Sequence, residues 1–121
     1  KKITVLGVTF KANTDDMRES SSLVLIPYLL KKGGVVKYYD PSGLKSEFKK
    51  NKNLKFEKTL SKACLGADLI IINTEWDEFK SFDWESIYKS VVKPAKVFDG
   101  RNILDREQLK ALGFDVYSIG K

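Results

Sequence analysis

Short runs rich in β-branched and aromatic residues alternate along this chain with segments of helical spacing, and that alternation restricts the fold more than any other feature. The runs are Ile3–Val8, Val35–Tyr39, Leu54–Glu57, Leu69–Ile72, Lys96–Phe98 and Phe114–Ile119. Ile3–Val8 and the fully apolar Leu69–Ile72 have the pattern of strands buried on both faces. Leu54–Glu57 carries charge and suits an edge.

Between the runs lie helix signals. Ser20 is a candidate N-cap for a helix with Leu23, Ile26, Pro27 and Leu30 on one face, kinked at Pro27 and stopped by Gly33-Gly34. Residues 44–50 read as a short, Lys-rich surface helix. Thr59 caps a helix containing Leu60, Ala63, Cys64 and Ala67. Residues 73–79 read as a polar, aromatic loop. Residues 82–92 read as a helix with Asp83 near its start and Trp84, Ile87, Tyr88 and Val91 on a core-facing stripe. Asp105 caps a last helix, ended by Gly113. Strand–helix alternation argues βαβ units with right-handed crossovers. The expectation is a three-layer α/β/α, Rossmann-like domain with a parallel sheet of five or six strands in the order 3-2-1-4-5-6.

The 121 residues suit a single domain with one core. The chain has one cysteine and no histidine, which leaves no internal disulfide and argues against a zinc site. It also leaves serine or cysteine nucleophilic chemistry without its usual base. Cys64 lies on an apolar helix face and reads as a packing residue. It fits a reducing compartment, the cytoplasm. No run reaches the length of a membrane span, and no signal-peptide pattern precedes the first strand. The chain starts with Lys1 and enters a strand at once, so it reads as a domain of a longer protein.

The formal net charge is +6. Such a balance points to anionic partners: nucleic acid, phosphorylated metabolites or an acidic protein face. The plain alternative is a solubilising lysine surface. No Arg-rich run or RNA-binding aromatic signature favours nucleic acid.

In a doubly wound sheet, ligands sit outside the carboxyl ends of the strands, at the point where the strand order reverses. Loops 9–19, 73–80 and 99–104 leave those ends and are unusually polar. Lys11, Arg18 and Arg101 would then line one crevice and suit a phosphate-bearing substrate. The alternative is that each is a solvated or ion-paired surface charge, with Asp15, Asp16 and Asp99 as partners. Gly7-Val8-Thr9-Phe10 is not a Gly-x-Gly-x-x-Gly turn, so a dinucleotide pyrophosphate is not expected at the first helix. Asp40 stands where a ribose-binding acid would, but reads as the start of the Asp40-Pro41 turn.

Taken in order, Gly7–Lys11, Thr14–Ser20 with Ser22, Tyr39-Asp40-Pro41, Gly66-Ala67-Asp68, Thr74–Phe79, Asp99–Asn102 and Tyr117–Gly120 resemble the C-terminal, UDP-binding domain of the UDP-glucose/GDP-mannose dehydrogenase family. The Tyr-Asp-Pro and Thr-Glu-Trp-Asp-Glu-Phe pieces are more similar to its UDP-glucose branch. The resemblance implies a nucleotide-sugar-binding domain of an enzyme that oxidises UDP-glucose at C6 to UDP-glucuronate, in two NAD-dependent steps. The same domain of a UDP-N-acetylhexosamine or GDP-mannose relative is the near alternative, and a basic nucleic-acid-binding module the remote one.

The resemblance also implies roles. Phe10, Lys11 and Arg101 match substrate-binding residues, and Arg18 matches an arginine that reaches NAD. NAD would be held mainly by an N-terminal domain, and the nucleophilic cysteine would lie in a central region. Both are absent here, and Cys64 does not match the catalytic position. The chain alone is therefore expected to have no dehydrogenase activity. Its partners would be the UDP-sugar and the parent enzyme's N-terminal domain, with no nucleic acid and no membrane. The parent would be a homo-oligomer.

Overall fold

The computed structural model describes residues 1–118. Six strands form one parallel sheet: β1 (Lys2–Leu6), β2 (Val35–Tyr39), β3 (Leu54–Phe56), β4 (Leu69–Ile72), β5 (Lys96–Asp99) and β6 (Asp115–Ser118). Their order is β3-β2-β1-β4-β5-β6, as the alternation predicts. The helices are α1 (Ser22–Lys31), α2 (Leu60–Cys64), α3 (Asp77–Ser81), α4 (Trp84–Ser90) and α5 (Arg106–Leu112).

Each face of the sheet has its own apolar cluster. Leu6, Ile70, Ile72, Val97 and Val116 pack against Leu60 and Cys64 of α2, Phe79 of α3, Trp84 and Ile87 of α4 and Leu109 of α5. Val5, Val8, Val36 and Tyr38 pack with Met17 and Ile26 on the other face, where α1 lies. Burying side chains as large as Trp84 and Phe79 stabilises such a domain by roughly 1.5–3 kcal/mol each. The stripe read from Trp84, Ile87, Tyr88 and Val91 faces this core. Cys64 is buried, and burial pushes its thiol up to about 12, which suits packing and not attack.

Several element boundaries differ from the sequence reading. β1 ends at Leu6, before Val8, because Gly7 turns the chain at φ +86°. Residues 44–50 form no helix. Their only anchors in an apolar stripe would be Leu44 and Phe48. Leu44 is exposed, while Phe48 packs edge-on against Tyr38. The Lys45 N–H donates to the Tyr38 hydroxyl at 3.1 Å, which ties this stretch down as a connection.

Ser20 does not occupy the cap position of α1. Ser21 does, without a side-chain cap bond, while the Ser20 and Ser22 hydroxyls turn to the Val8 carbonyl. α2 closes at Cys64, leaving Ala67 beyond it. The loop read over 73–79 contains the start of α3, and α4 is confined to Trp84–Ser90 under the Asp83 cap. The caps at Thr59 and Asp105 and the left-handed stop at Gly113 stand as read. The last strand's expected end at Ile119 lies outside the described residues.

Candidate functional site

β1 and β4 are neighbours in the sheet but leave it toward helices on opposite faces. Their carboxyl ends therefore frame the switch-point crevice. The loop after β1 is pinned from both sides of one residue. The Val8 N–H donates to Asp40 Oδ2 at 2.7 Å, and the Thr9 N–H donates to the same oxygen at 3.2 Å. The Val8 carbonyl accepts from the serine hydroxyls at 2.5 Å each, and these lie 2.7 Å apart. The other Asp40 oxygen, Oδ1, accepts from the Ser42 N–H at 2.9 Å and its hydroxyl at 2.6 Å. Asp40 thus starts the turn as read, and it also reaches across to the loop after β1, which the sequence reading missed.

The rest of that loop is folded on itself. Buried Met17 anchors it in the core under α1. The Phe10 N–H donates to the Asp16 carbonyl at 2.8 Å, and the Thr9 hydroxyl to the Lys11 carbonyl at 2.9 Å. Phe10, 43% exposed, and Lys11 are displayed to solvent. Arg18 is exposed too, but its guanidinium is engaged: Nε and Nη2 donate to the Asp16 carboxylate at 3.0 and 2.9 Å. This is the ion-pair alternative. The same bonds, with the Arg18 N–H and a smaller pull from Lys11, hold the Asp16 carboxyl down to about 2.

Arg101 sits in a different wall. Its Nε donates to the Asn73 carbonyl at 3.2 Å, and the Ser21 hydroxyl donates to Asn73 Oδ1 at 3.3 Å. This Ser21–Asn73–Arg101 chain joins the start of α1 to the loops after β4 and β5. It rims a cavity of about 460 Å³ whose floor includes Leu25, Ile71 and Phe98. Asp99 is fully buried and accepts from the Arg101 and Leu104 N–H groups at 3.1 and 2.8 Å. It shapes the backbone of the Arg101 loop and is not a partner of the guanidinium. Asn73 carried no motif or charge; its only sequence signal was its place just after the strongest strand.

Lys11 and Arg18 thus share one loop beside Asp16, and Arg101 is held on the Asn73 side. A larger cavity, about 650 Å³, opens between α1 and the 44–51 connection and contains none of these residues. Among the described residues with positive φ that are not glycine are Asn13 (63°), Glu19 (60°) and Asn102 (57°), all in these cation-bearing loops. Such backbone strain gathers at ligand sites. Among the described residues there is no cluster suited to a metal ion. Among the described residues, no helix is long and apolar enough to cross a membrane.

A dinucleotide does not fit the turn after β1. The N–H groups that would face a pyrophosphate there, those of Val8 and Thr9, are already taken by the Asp40 carboxylate.

The model of the UDP-glucose/GDP-mannose dehydrogenase family, UDP binding domain, matches residues 4–106. A UDP-glucose 6-dehydrogenase of Rickettsia bellii is 45% identical over 99% of this chain, and one of Mus musculus is 38% identical over all of it. The chain spans 28% of the length of each of these relatives. A solved UDP-D-ManNAc dehydrogenase of Pyrococcus horikoshii superposes with a TM-score of 0.76 at 35% identity, covering 98% of this chain and 25% of that one. A Methanosarcina mazei Go1 NDP-N-acetyl-D-galactosaminuronic acid dehydrogenase superposes at 0.86 with 24% identity over 100% of this chain and 25% of that one, a likeness of fold. With its strand order, its loop motifs and the family match running together, the chain belongs to the UDP-glucose/GDP-mannose dehydrogenase family as a UDP binding domain.

Proposed function

We propose that this chain is the nucleotide-sugar-binding part of an NAD-dependent UDP-glucose 6-dehydrogenase acting in the cytoplasm. In the parent, an N-terminal domain binds NAD, a central region supplies the nucleophilic cysteine, and the subunits form a homo-oligomer. NAD, when bound there, accepts hydride from the sugar C6. This chain's part is to hold the UDP moiety and to close over it. Lys11 and Arg101 make charge-assisted bonds to the diphosphate, worth roughly 1.5–3 kcal/mol each once water is excluded. Phe10 lays its exposed ring against the substrate. Arg18, displayed on the same loop, reaches NAD from this side.

The observation that carries this reading is the joining of the loops after β1, β4 and β5 at the switch point, through Ser21, Asn73 and Arg101, with Lys11 and Phe10 exposed on the loop after β1. UDP-glucose is favoured as the sugar nucleotide because the relatives at 38–45% identity carry that name. A UDP-N-acetyl sugar is the second reading, favoured by the Pyrococcus horikoshii structure.

Calorimetric titration of the chain with UDP and GDP tests the proposal. UDP should bind more tightly than GDP, and the Lys11→Ala/Arg101→Ala double variant should weaken UDP binding at least tenfold. Equal or tighter GDP binding would overturn the uridine assignment. NADH formation from UDP-glucose by the chain alone would overturn its assignment as a binding domain only.

A further inference from the structure

We propose that Asp40 is the positioning residue of the ligand loop: its carboxylate fills the backbone anion site after β1, fixes the segment carrying Phe10 and Lys11, and bars a diphosphate from that site. The proposal rests on the nucleotide reading above for its ligand, but not for its geometry.

Two consecutive N–H groups converging on one oxygen are the arrangement by which a strand-to-helix turn cradles a phosphate. Here the Val8 and Thr9 N–H groups converge on Asp40 Oδ2, at 2.7 and 3.2 Å. The Thr9 hydroxyl lies 3.4 Å from that oxygen but is better placed toward the Lys11 carbonyl at 2.9 Å, so it hands the constraint on to Lys11. Asp40 is itself 1% exposed, and its second oxygen is occupied by Ser42. The carboxylate therefore has no lone pair left for a ribose. An acid in the ribose-binding place has been turned inward.

Two consequences follow for the ligand. A diphosphate cannot use the backbone after β1, so the side chains of Lys11 and Arg101 must neutralise it. The loop's placement also becomes a property of β2, where Asp40 is fixed by the end of the strand and by Ser42.

The experiment compares Asp40→Asn, Asp40→Ala and Ser42→Ala in the 121-residue chain. It reads amide hydrogen exchange at Val8 and Thr9, UDP affinity and thermal midpoint. Asp40→Ala should speed exchange at Val8 and Thr9 at least tenfold and leave the amides of β4 unchanged. It should weaken UDP binding at least tenfold in the folded protein. Asp40→Asn, of the same shape without the charge, should show the same effects in smaller degree, and it carries the test where Asp40→Ala does not fold. Ser42→Ala removes the hydroxyl bond to Asp40 Oδ1 but keeps the Ser42 N–H bond and both bonds to Oδ2, so it should speed exchange at Val8 and Thr9 less than Asp40→Asn does.

A lowered midpoint with unchanged UDP affinity would mean a merely structural role and overturn the proposal. Unchanged exchange at Val8 and Thr9 would overturn it as well. If the unaltered chain binds no UDP, the nucleotide reading fails by itself. The exchange data, with the shift of the Lys11 amide resonance on substitution, then decide whether Asp40 sets the loop.

Discussion

Gly7 shows how tightly one residue can be specified. It sits at φ +86°, and a methyl group added there would lie 2.5 Å from Thr74 Oγ1 and 2.6 Å from Thr74 Cβ. Thr74 is fully buried, its hydroxyl 3.4 Å from the Thr9 carbonyl, so it has little room to retreat. Left-handed backbone and steric overlap act together. Gly7→Ala should therefore destabilise the fold by about 2–4 kcal/mol, measured by urea denaturation. A cost below about 0.5 kcal/mol would show that Thr74 swings away freely. The close approach that forbids a side chain at Gly7 also lets the loops after β1 and β4 meet, so its origin is the site and not the core. At this scale the sequence was only half legible. Arg18 and Asp16 are two residues apart, and their pairing was foreseeable as an alternative. Asp40's reach to Val8 and Thr9 spans more than thirty positions, with distances settled only by the sheet.

Among the elements, helix ends separate local from tertiary control. Asp105 caps α5 by accepting from the Gln108 N–H at 3.1 Å, a bond within one turn. α5 is seven residues long and buries only Leu109 fully, so it depends on its cap. Ser21 caps α1 by position but makes no cap bond; its hydroxyl goes to Asn73. Asp105→Ala should cost about 1 kcal/mol in denaturation midpoint analysis, while Ser21→Ala should cost a few tenths. Equal costs would mean that the Ser21–Asn73 contact matters as much to folding as a cap. Local signals of this kind were read correctly at Thr59, Asp105 and Gly113. They failed at Ser20, where the serines serve the Val8 carbonyl, and over 44–50, where the anchor is Tyr38 in another element. The strand order was legible because alternation and crossover handedness leave few choices.

For the whole molecule, the strand order has a cost that one cross-sheet row displays. Phe56, Tyr38, Val5, Ile71, Phe98 and Tyr117 stand in register across all six strands and share a face. α1 and the 44–51 connection lie over the first part of it. The crossovers after β4 run on the opposite face, with α3, α4 and α5, so among the described residues no helix of these crossovers covers the outer part of the row. Exposure rises accordingly, from 0% at Val5 through 8% at Ile71 to 52% at Tyr117. Stability should follow that gradient. Val5→Ala should cost about 2–4 kcal/mol, and Tyr117→Ala less than about 1 kcal/mol, in urea titrations at low protein concentration. Raising the concentration should not change the second value. If Tyr117→Ala instead costs as much as Val5→Ala, and the cost grows with concentration, the outer half of this face is buried between copies of the chain in solution, and the monomeric account of the sheet fails.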